Sequence, residues 1–471
     1  KSLTSIPHLM RRCAVVGGGV GGLAAAACLR RIGMEVRLFE AMGQAAYESQ
    51  RVHGFGVWMN ALRCLEQFGL TERLESKGRY MSEVGYKSKD GAWLAQPSRD
   101  LAQGVSSSEP GALFLPTSDL LESLRSVAPE IRFARRVASI APHGEGGEGP
   151  LRLTFAGETE SPESSESYDL VVVASGLFST DASAAPSSSS SFLSVSPSPS
   201  SPPPPSSHPA SPRGYQVYRG LARSSAPAAT TASEASFSES SESSSESSSS
   251  SSPTSFQTWA DGRRFATVPM RDGVSVWFAT FPQGRGFASR GIDEPDWTPR
   301  PIDGDEKGWL LEAFADWHDP IPRLICETPT EGITKEAAYG HADVREVTVG
   351  GDPRVVFIGD ASTCLDPILA QGGGVAIEDA FLLAHCLKKY SELQHAVDQF
   401  ASQRYGRIRT LQRLSDLSQV MGCLEYPFDR IRDGLMTASP NLITSLVFDR
   451  LMRASVSDTL FGGLQKDPPV L

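Results

Sequence analysis

The stretch Cys13-Ala14-Val15-Val16 is apolar without a break, the texture of a strand buried on both faces. It runs into a glycine cluster and then into Leu23 to Arg31, an Ala-rich run at helical spacing that Gly33 stops. Val36 to Phe39 reads as the next strand, so the chain opens with a strand–helix–strand unit. Much later, Arg354-Val355-Val356-Phe357-Ile358 is another buried strand, and it ends in Gly359-Asp360. Between these the period changes to two. Gly214 to Leu221 alternates aromatic and β-branched residues, and Phe256 to Trp259, Arg264 to Val268 and Val274 to Phe281 alternate around the turn Arg271-Asp272-Gly273. These segments predict an antiparallel sheet. From Val375 to about Ser457 the apolar positions return to helical spacing, with breaks near Tyr426-Pro427 and Ser439-Pro440.

Two blocks interrupt this texture, a Ser/Pro block at about 183–212 that includes Pro202 to Pro205, and a Ser/Glu block at about 224–254. Neither can bury a core, and both flank the strand at 214–221, so they read as insertions into loops rather than links between domains. The remaining composition is globular: 40% hydrophobic and 21% charged over 471 residues excludes collagen-like, coiled-coil and wholly disordered chains. A formal net charge of −11 speaks against a nucleic-acid surface. No apolar run reaches the roughly eighteen residues of a spanning helix, which leaves only a peripheral membrane contact open. The seven cysteines form no Cys-x-x-Cys pair, and their odd number disfavours a disulfide framework or a zinc site; an intracellular, reducing compartment is expected. The chain opens at Lys1 with basic Met10-Arg11-Arg12 before the first strand, which fits either the remnant of a mitochondrial or plastid transit peptide or a trimmed terminus.

The candidate chemistry lies at the ends of the buried strands. Gly17-Gly18-Gly19-Val20-Gly21-Gly22 satisfies G-x-G-x-x-G at a strand-to-helix turn: Gly17 permits the turn, Gly19 lets backbone approach a pyrophosphate, and Gly22 lets helix and strand pack closely. Glu40 ends the second strand, where a carboxylate can accept the ribose hydroxyls of an adenosine and disfavours a 2′-phosphate. Asp360, at the end of its strand, is placed to accept hydrogen bonds from a polyol, and Gly372, Gly373 and Gly374 let backbone amides reach a flat ring before a helix beginning near Val375. Tyr218 and Trp277, on sheet strands, either line a pocket for a flat apolar ligand or simply pack the sheet. His318 and His341 stand apart and read as surface or structural residues rather than ligands, no metal site is expected, and the absence of G-x-S-x-G excludes a serine hydrolase of that type.

The glycine turn with Glu40, the segment Gly54-Phe55-Gly56-Val57-Trp58-Met59-Asn60-Ala61-Leu62, the strand Tyr218-Arg219-Gly220, Gly359-Asp360-Ala361, Asp366-Pro367 and Glu378-Asp379-Ala380 together resemble the class A flavoprotein monooxygenases. The similarity is to the zeaxanthin epoxidase, salicylate hydroxylase and urate hydroxylase branch. It implies an α/β fold: a Rossmann-like FAD-binding domain with a parallel sheet (10–185 and 320–390), an interleaved antiparallel substrate sheet (80–100 and 213–300), and C-terminal helices (390–471). It also implies non-covalent FAD, held by Gly17, Gly19, Gly22, Glu40, Gly359, Asp360, Gly372, Gly373 and Gly374, and NAD(P)H as transient electron donor. By the same resemblance Pro367 is expected to shape the flavin pocket, Tyr218 to touch substrate, and one oxygen atom of O2 to go to a small aromatic, apolar or polyene molecule.

Six positions depart from the pattern. Ser175 stands in place of an aspartate and Ala182 and Thr117 in place of arginines; Thr363 replaces a histidine, Ala370 a glycine and Gly374 an asparagine. These losses keep a second reading open, a catalytically degenerate flavoprotein fold serving as a structural subunit of a larger organellar assembly.

Overall fold

A computed structural model describes residues 12–49, 54–81, 84–98, 112–143, 149–156, 166–179, 194–195, 210–223, 255–282, 300–344, 347–348 and 352–438. Its first layer is an all-parallel five-stranded sheet in the order Val355–Phe357, Leu170–Val173, Arg12–Val16, Glu35–Phe39, Ile131–Arg132. Both faces of this sheet are covered, which is why its central strands read as unbroken apolar runs. The helix Val20–Arg31 lies on one face against the helix Gly372–Lys389, and the two are brought together by small residues: a Cβ on Gly21 would stand 2.9 Å from the Ala376 methyl.

A second sheet has eight strands, ordered Arg300–Pro301, Ile333–Gly340, Ser211–Arg223, Val274–Pro282, Arg263–Pro269, Ser255–Ala260, Val84–Lys87, Trp93–Ser98. The expected hairpins are present, and Asp272 and Gly273 both take positive φ at the turn. The sheet is nevertheless mixed, because Ser255–Ala260 pairs in parallel with Val84–Lys87. Its outer face packs on the helices Gly304–Ala313 and Ile321–Glu327. The inner face looks toward the segment that follows the strand Val355–Phe357, where the Tyr215 hydroxyl donates to Asp366.

The Ser/Pro block is not wholly outside the fold. Ser211 and Pro212 already pair with Gly340 and Tyr339, and Ser194–Val195 adds a short parallel strand beside Ser139 and Ile140. The 30-residue helix Leu393–Gly422 and the helix Phe428–Ala438 close the structure, with the expected break at Tyr426-Pro427; the one at Ser439-Pro440 lies outside the described residues. Among the described residues no helix is long and apolar enough to cross a membrane.

Candidate active site

The carboxyl ends of the parallel strands lie along one edge of the sheet, where open parallel sheets hold ligands in a crevice. Gly17 takes φ +107°, and a side chain there would meet the Ala174 carbonyl oxygen at 2.5 Å. A Cβ on Gly22 would stand 1.8 Å from the Gly17 carbonyl oxygen, so this glycine is what lets the helix begin so close to the strand. Gly19 is different: nothing lies within 4 Å of its Cβ position, leaving the helix N-terminus open to a ligand. Glu40 is buried and already engaged, its two oxygens accepting the N–H groups of Gly18 at 2.7 Å and Met42 at 2.9 Å. Its immediate effect is to fix the turn.

Gly359 follows the strand Val355–Phe357 with φ +57°, and its N–H donates to Asp379 at 2.8 Å. Asp360, half-buried, receives no hydrogen bond from any described residue. Burial first, and then the negative charge of Glu336, push its carboxyl up to about 6 against the opposing pull of Arg404. The helix that was expected to begin near Val375 begins at Gly372, so the three glycines form its first turn rather than a loop before it. Each leaves room for a different neighbour. Cβ positions at 372, 373 and 374 would stand 3.5 Å from an Asp360 oxygen, 2.1 Å from the Phe55 ring, and 3.4 Å from the Gln371 side-chain oxygen. The Gln371 amide is buried with both polar atoms unpartnered, as are Asn60 Oδ1 and Ser175 Oγ.

Pro367 begins a short 3-10 turn whose cap is Asp366, a buried carboxylate that accepts from Ile368 N–H at 2.9 Å, Arg213 Nε at 2.9 Å and the Tyr215 hydroxyl. Ala370 closes this turn at φ +51°, and its carbonyl accepts the Trp58 indole N–H at 3.1 Å.

Tyr218 is not at this site. It lies on the outer sheet face, fully buried against Phe281 and Trp309, and donates to Glu306, which also holds Lys335. Trp277 shares that face, stacks on Phe265 and donates to Thr328. His318 and His341 are structural, the first bonded to Thr258, the second accepting the Cys364 N–H. No cluster able to hold a metal occurs among the described residues.

Residues 11–199 match the family described as FAD binding domain. The aurachin C monooxygenase/isomerase of Stigmatella aurantiaca is 35% identical over 151 residues, a match that covers 32% of this chain and only 35% of that enzyme. The FAD-dependent urate hydroxylase of Klebsiella oxytoca is 22% identical over 84% of this chain and 86% of its own. Over these regions the chain is similar to the class A flavin monooxygenases. The fold agrees: the Klebsiella pneumoniae HpxO structure complexed with FAD and uric acid superposes with a TM-score of 0.68 at 18% identity, covering 98% of this chain and 100% of that one. The family's cofactor is FAD, and the residues here fit it: an open helix N-terminus at Gly19, an acceptor without a donor at Asp360, and unpartnered amide groups beside the glycine helix.

Among the family's usual charged positions, Thr117 begins the helix Thr117–Arg125 and Ser175 abuts Gly17, while Ala182 lies outside the described residues. Thr363 is buried and accepts from Arg404 at 3.4 Å. The sequence flagged Asp366 only within the motif Asp366-Pro367, with no role of its own, and did not flag Glu336 or Arg404. All three act through pairs distant along the chain, and only Asp366, next to Pro367, carried a local signal.

Proposed function

We propose that this chain is an FAD-dependent monooxygenase that uses NAD(P)H to hydroxylate a small planar aromatic substrate. The observation that carries the reading is Asp360: a half-buried carboxylate without a donor, at the end of a parallel strand, beside the N-terminus of the glycine helix. Gly17 to Gly19 would take the pyrophosphate, Glu40 the ribose through its remaining lone pairs, Asp360 the ribityl hydroxyls, and the amides of Gly372 to Gly374 the pyrimidine edge of the ring. Bound there, FAD supplies the electron transfer and the dioxygen chemistry. The chain's own contribution is positional and electrostatic. The positive end of an 18-residue helix favours negative charge at the ring edge nearest Gly372, and the Asp366–Arg213–Tyr215 cluster holds the Pro367 turn against the substrate sheet.

Substrate would lie between that ring and the inner sheet face, where Trp58, Tyr86 and Trp259 supply apolar walls. Tyr86 and Trp259 pack at 4.7 Å between ring centroids. Purified full-length protein should oxidise NADH or NADPH in the presence of bound FAD and O2, and supply of an accepted aromatic should raise that rate. Bound FAD that neither nicotinamide reduces would point instead to the degenerate reading suggested by Thr117 and Ser175.

A further inference from the structure

Among the described residues, every large apolar side chain that stands exposed lies in one stretch, from Tyr405 to Leu435, at exposures of 42% to 78%. Scattered over the surface such residues would need no explanation, whereas their collection on two consecutive helices marks a surface built to be covered. On the helix Leu393–Gly422, Tyr405, Leu417 and Val420 stand on the side opposite the buried Phe400, Ile408 and Leu411. On the helix Phe428–Ala438, Phe428, Ile431 and Leu435 recur at i, i+3 and i+7 and so form a single stripe, with Tyr426 exposed just before it. The two helices meet where the Arg432 guanidinium donates to the Met421 carbonyl at 3.0 Å.

The charges in the same stretch decide what can cover it. Arg404, Arg407 and Arg432 are buried, but Arg409, Arg413 and Arg430 are exposed, and none of these three has a carboxylate within ion-pair distance among the described residues. Arg409 and Arg413 stand four and eight residues after Tyr405, and Leu417 stands four after Arg413, so cations and apolar groups alternate along one helical stripe. The exposed acid of the stretch, Asp416, is held by Arg213. On a chain of formal charge −11 this surface is therefore locally basic as well as apolar. A second copy would bring its own three arginines to the interface with no exposed acid free to meet them. An anionic bilayer satisfies both features, since apolar side chains enter at the acyl boundary while guanidinium groups stay among the headgroups.

We propose that the outer faces of these two helices dock the chain on an anionic lipid surface, with Phe428, Ile431 and Leu435 entering the interface and Arg409, Arg413 and Arg430 meeting the headgroups. The buried side of the second helix, at Met436, packs in the same apolar cluster as Trp58, Tyr86 and Trp259. Docking would thus set the proposed substrate walls one helix away from the lipid, a consequence that rests on the flavin-site reading; the docking itself does not.

The test is co-sedimentation of the full-length protein with vesicles of phosphatidylcholine alone and of phosphatidylcholine with about one quarter phosphatidylserine. The mixed vesicles should bind at least about tenfold more tightly, and the difference should shrink as salt rises. Phe428→Ser, Ile431→Ser and Leu435→Ser combined should weaken binding to the mixed vesicles at least about tenfold. Arg409→Gln, Arg413→Gln and Arg430→Gln combined should bring the preference for the mixed vesicles to within about twofold. All six positions are exposed, so both variants should keep the melting temperature; should either misfold, Ile431→Gln alone, with a loss of about threefold, takes its place. No binding to the mixed vesicles, or a preference that survives the arginine substitutions, overturns the surface. So does a protein that ignores vesicles but sediments as a dimer which the serine substitutions dissociate, a result that assigns the face to a second copy. Vesicle binding needs neither flavin nor turnover, so failure of the docking and failure of the monooxygenase reading are told apart.

Discussion

Arg404 and Asp379 are paired in complete burial, the Arg404 Nε lying 2.9 Å and 3.0 Å from the two carboxylate oxygens, and the same carboxylate accepts the Gly359 N–H. One ion pair thus ties the long C-terminal helix to the turn that presents Asp360. Arg404→Met leaves Asp379 charged and unpaired, and a loss of about 3–5 kcal/mol is expected in urea unfolding. A loss under about 1 kcal/mol would show that the pair does not brace the turn.

Asp360 gives a pH dependence. Its carboxyl titrates at about 6 in the folded protein against an ordinary 3.8, so its proton is lost only as pH rises through 6, and stability contributed by the neutral form fades over the same window. Ribityl hydroxyls donate best to the ionised form, so FAD affinity should rise between pH 5 and pH 7 by roughly tenfold. Isothermal titration over that range checks it, and Asp360→Asn should be weaker throughout and flat.

Gly19 and Gly22 separate binding from folding. Gly19→Ala enters open space and should fold normally while losing at least about tenfold in FAD affinity, as a methyl now faces the pyrophosphate position. Gly22→Ala meets the Gly17 carbonyl and should lower the melting temperature itself. Equal effects of the two on stability would remove the distinction.

Ala370 carries the φ +51° that a glycine would adopt freely. Left-handed backbone costs an alanine about 1–2 kcal/mol, and the extra freedom of glycine in the unfolded chain returns about 0.4–1 kcal/mol of that. Ala370→Gly should therefore stabilise by roughly 0.5–1 kcal/mol in urea unfolding; a destabilised variant would contradict the reading.

The Ser/Glu block at 224–254 joins Arg223 to Ser255, and those strands are separated by two others, a gap of roughly 14 Å. A Gly/Ser linker of about eight residues should replace the block with the melting temperature kept within a few degrees, whereas direct ligation of 223 to 255 should not fold. Loss of folding in the linker form would make the block part of the core.

The parallel sheet and the glycine turn were legible because the central strands are buried on both faces and Gly17 and Gly22 are required by local contacts. The substrate sheet was legible as strands but not as faces. Period two places Tyr218 and Val217 on opposite sides, and only the packing of the helices 304–327 decides that Tyr218 is the covered one. The Arg404 pair joins two helices, and nothing near either residue announces the other.

The central claim is that this crevice holds FAD. Titration of the flavin-stripped protein with FAD, followed by quenching of flavin fluorescence, tests it most directly: saturation at one FAD per chain is expected, with the flavin released unmodified on denaturation and the affinity reduced in Asp360→Ala and Glu40→Ala. No saturable binding, in a protein whose melting curve shows it to be folded, would contradict the account.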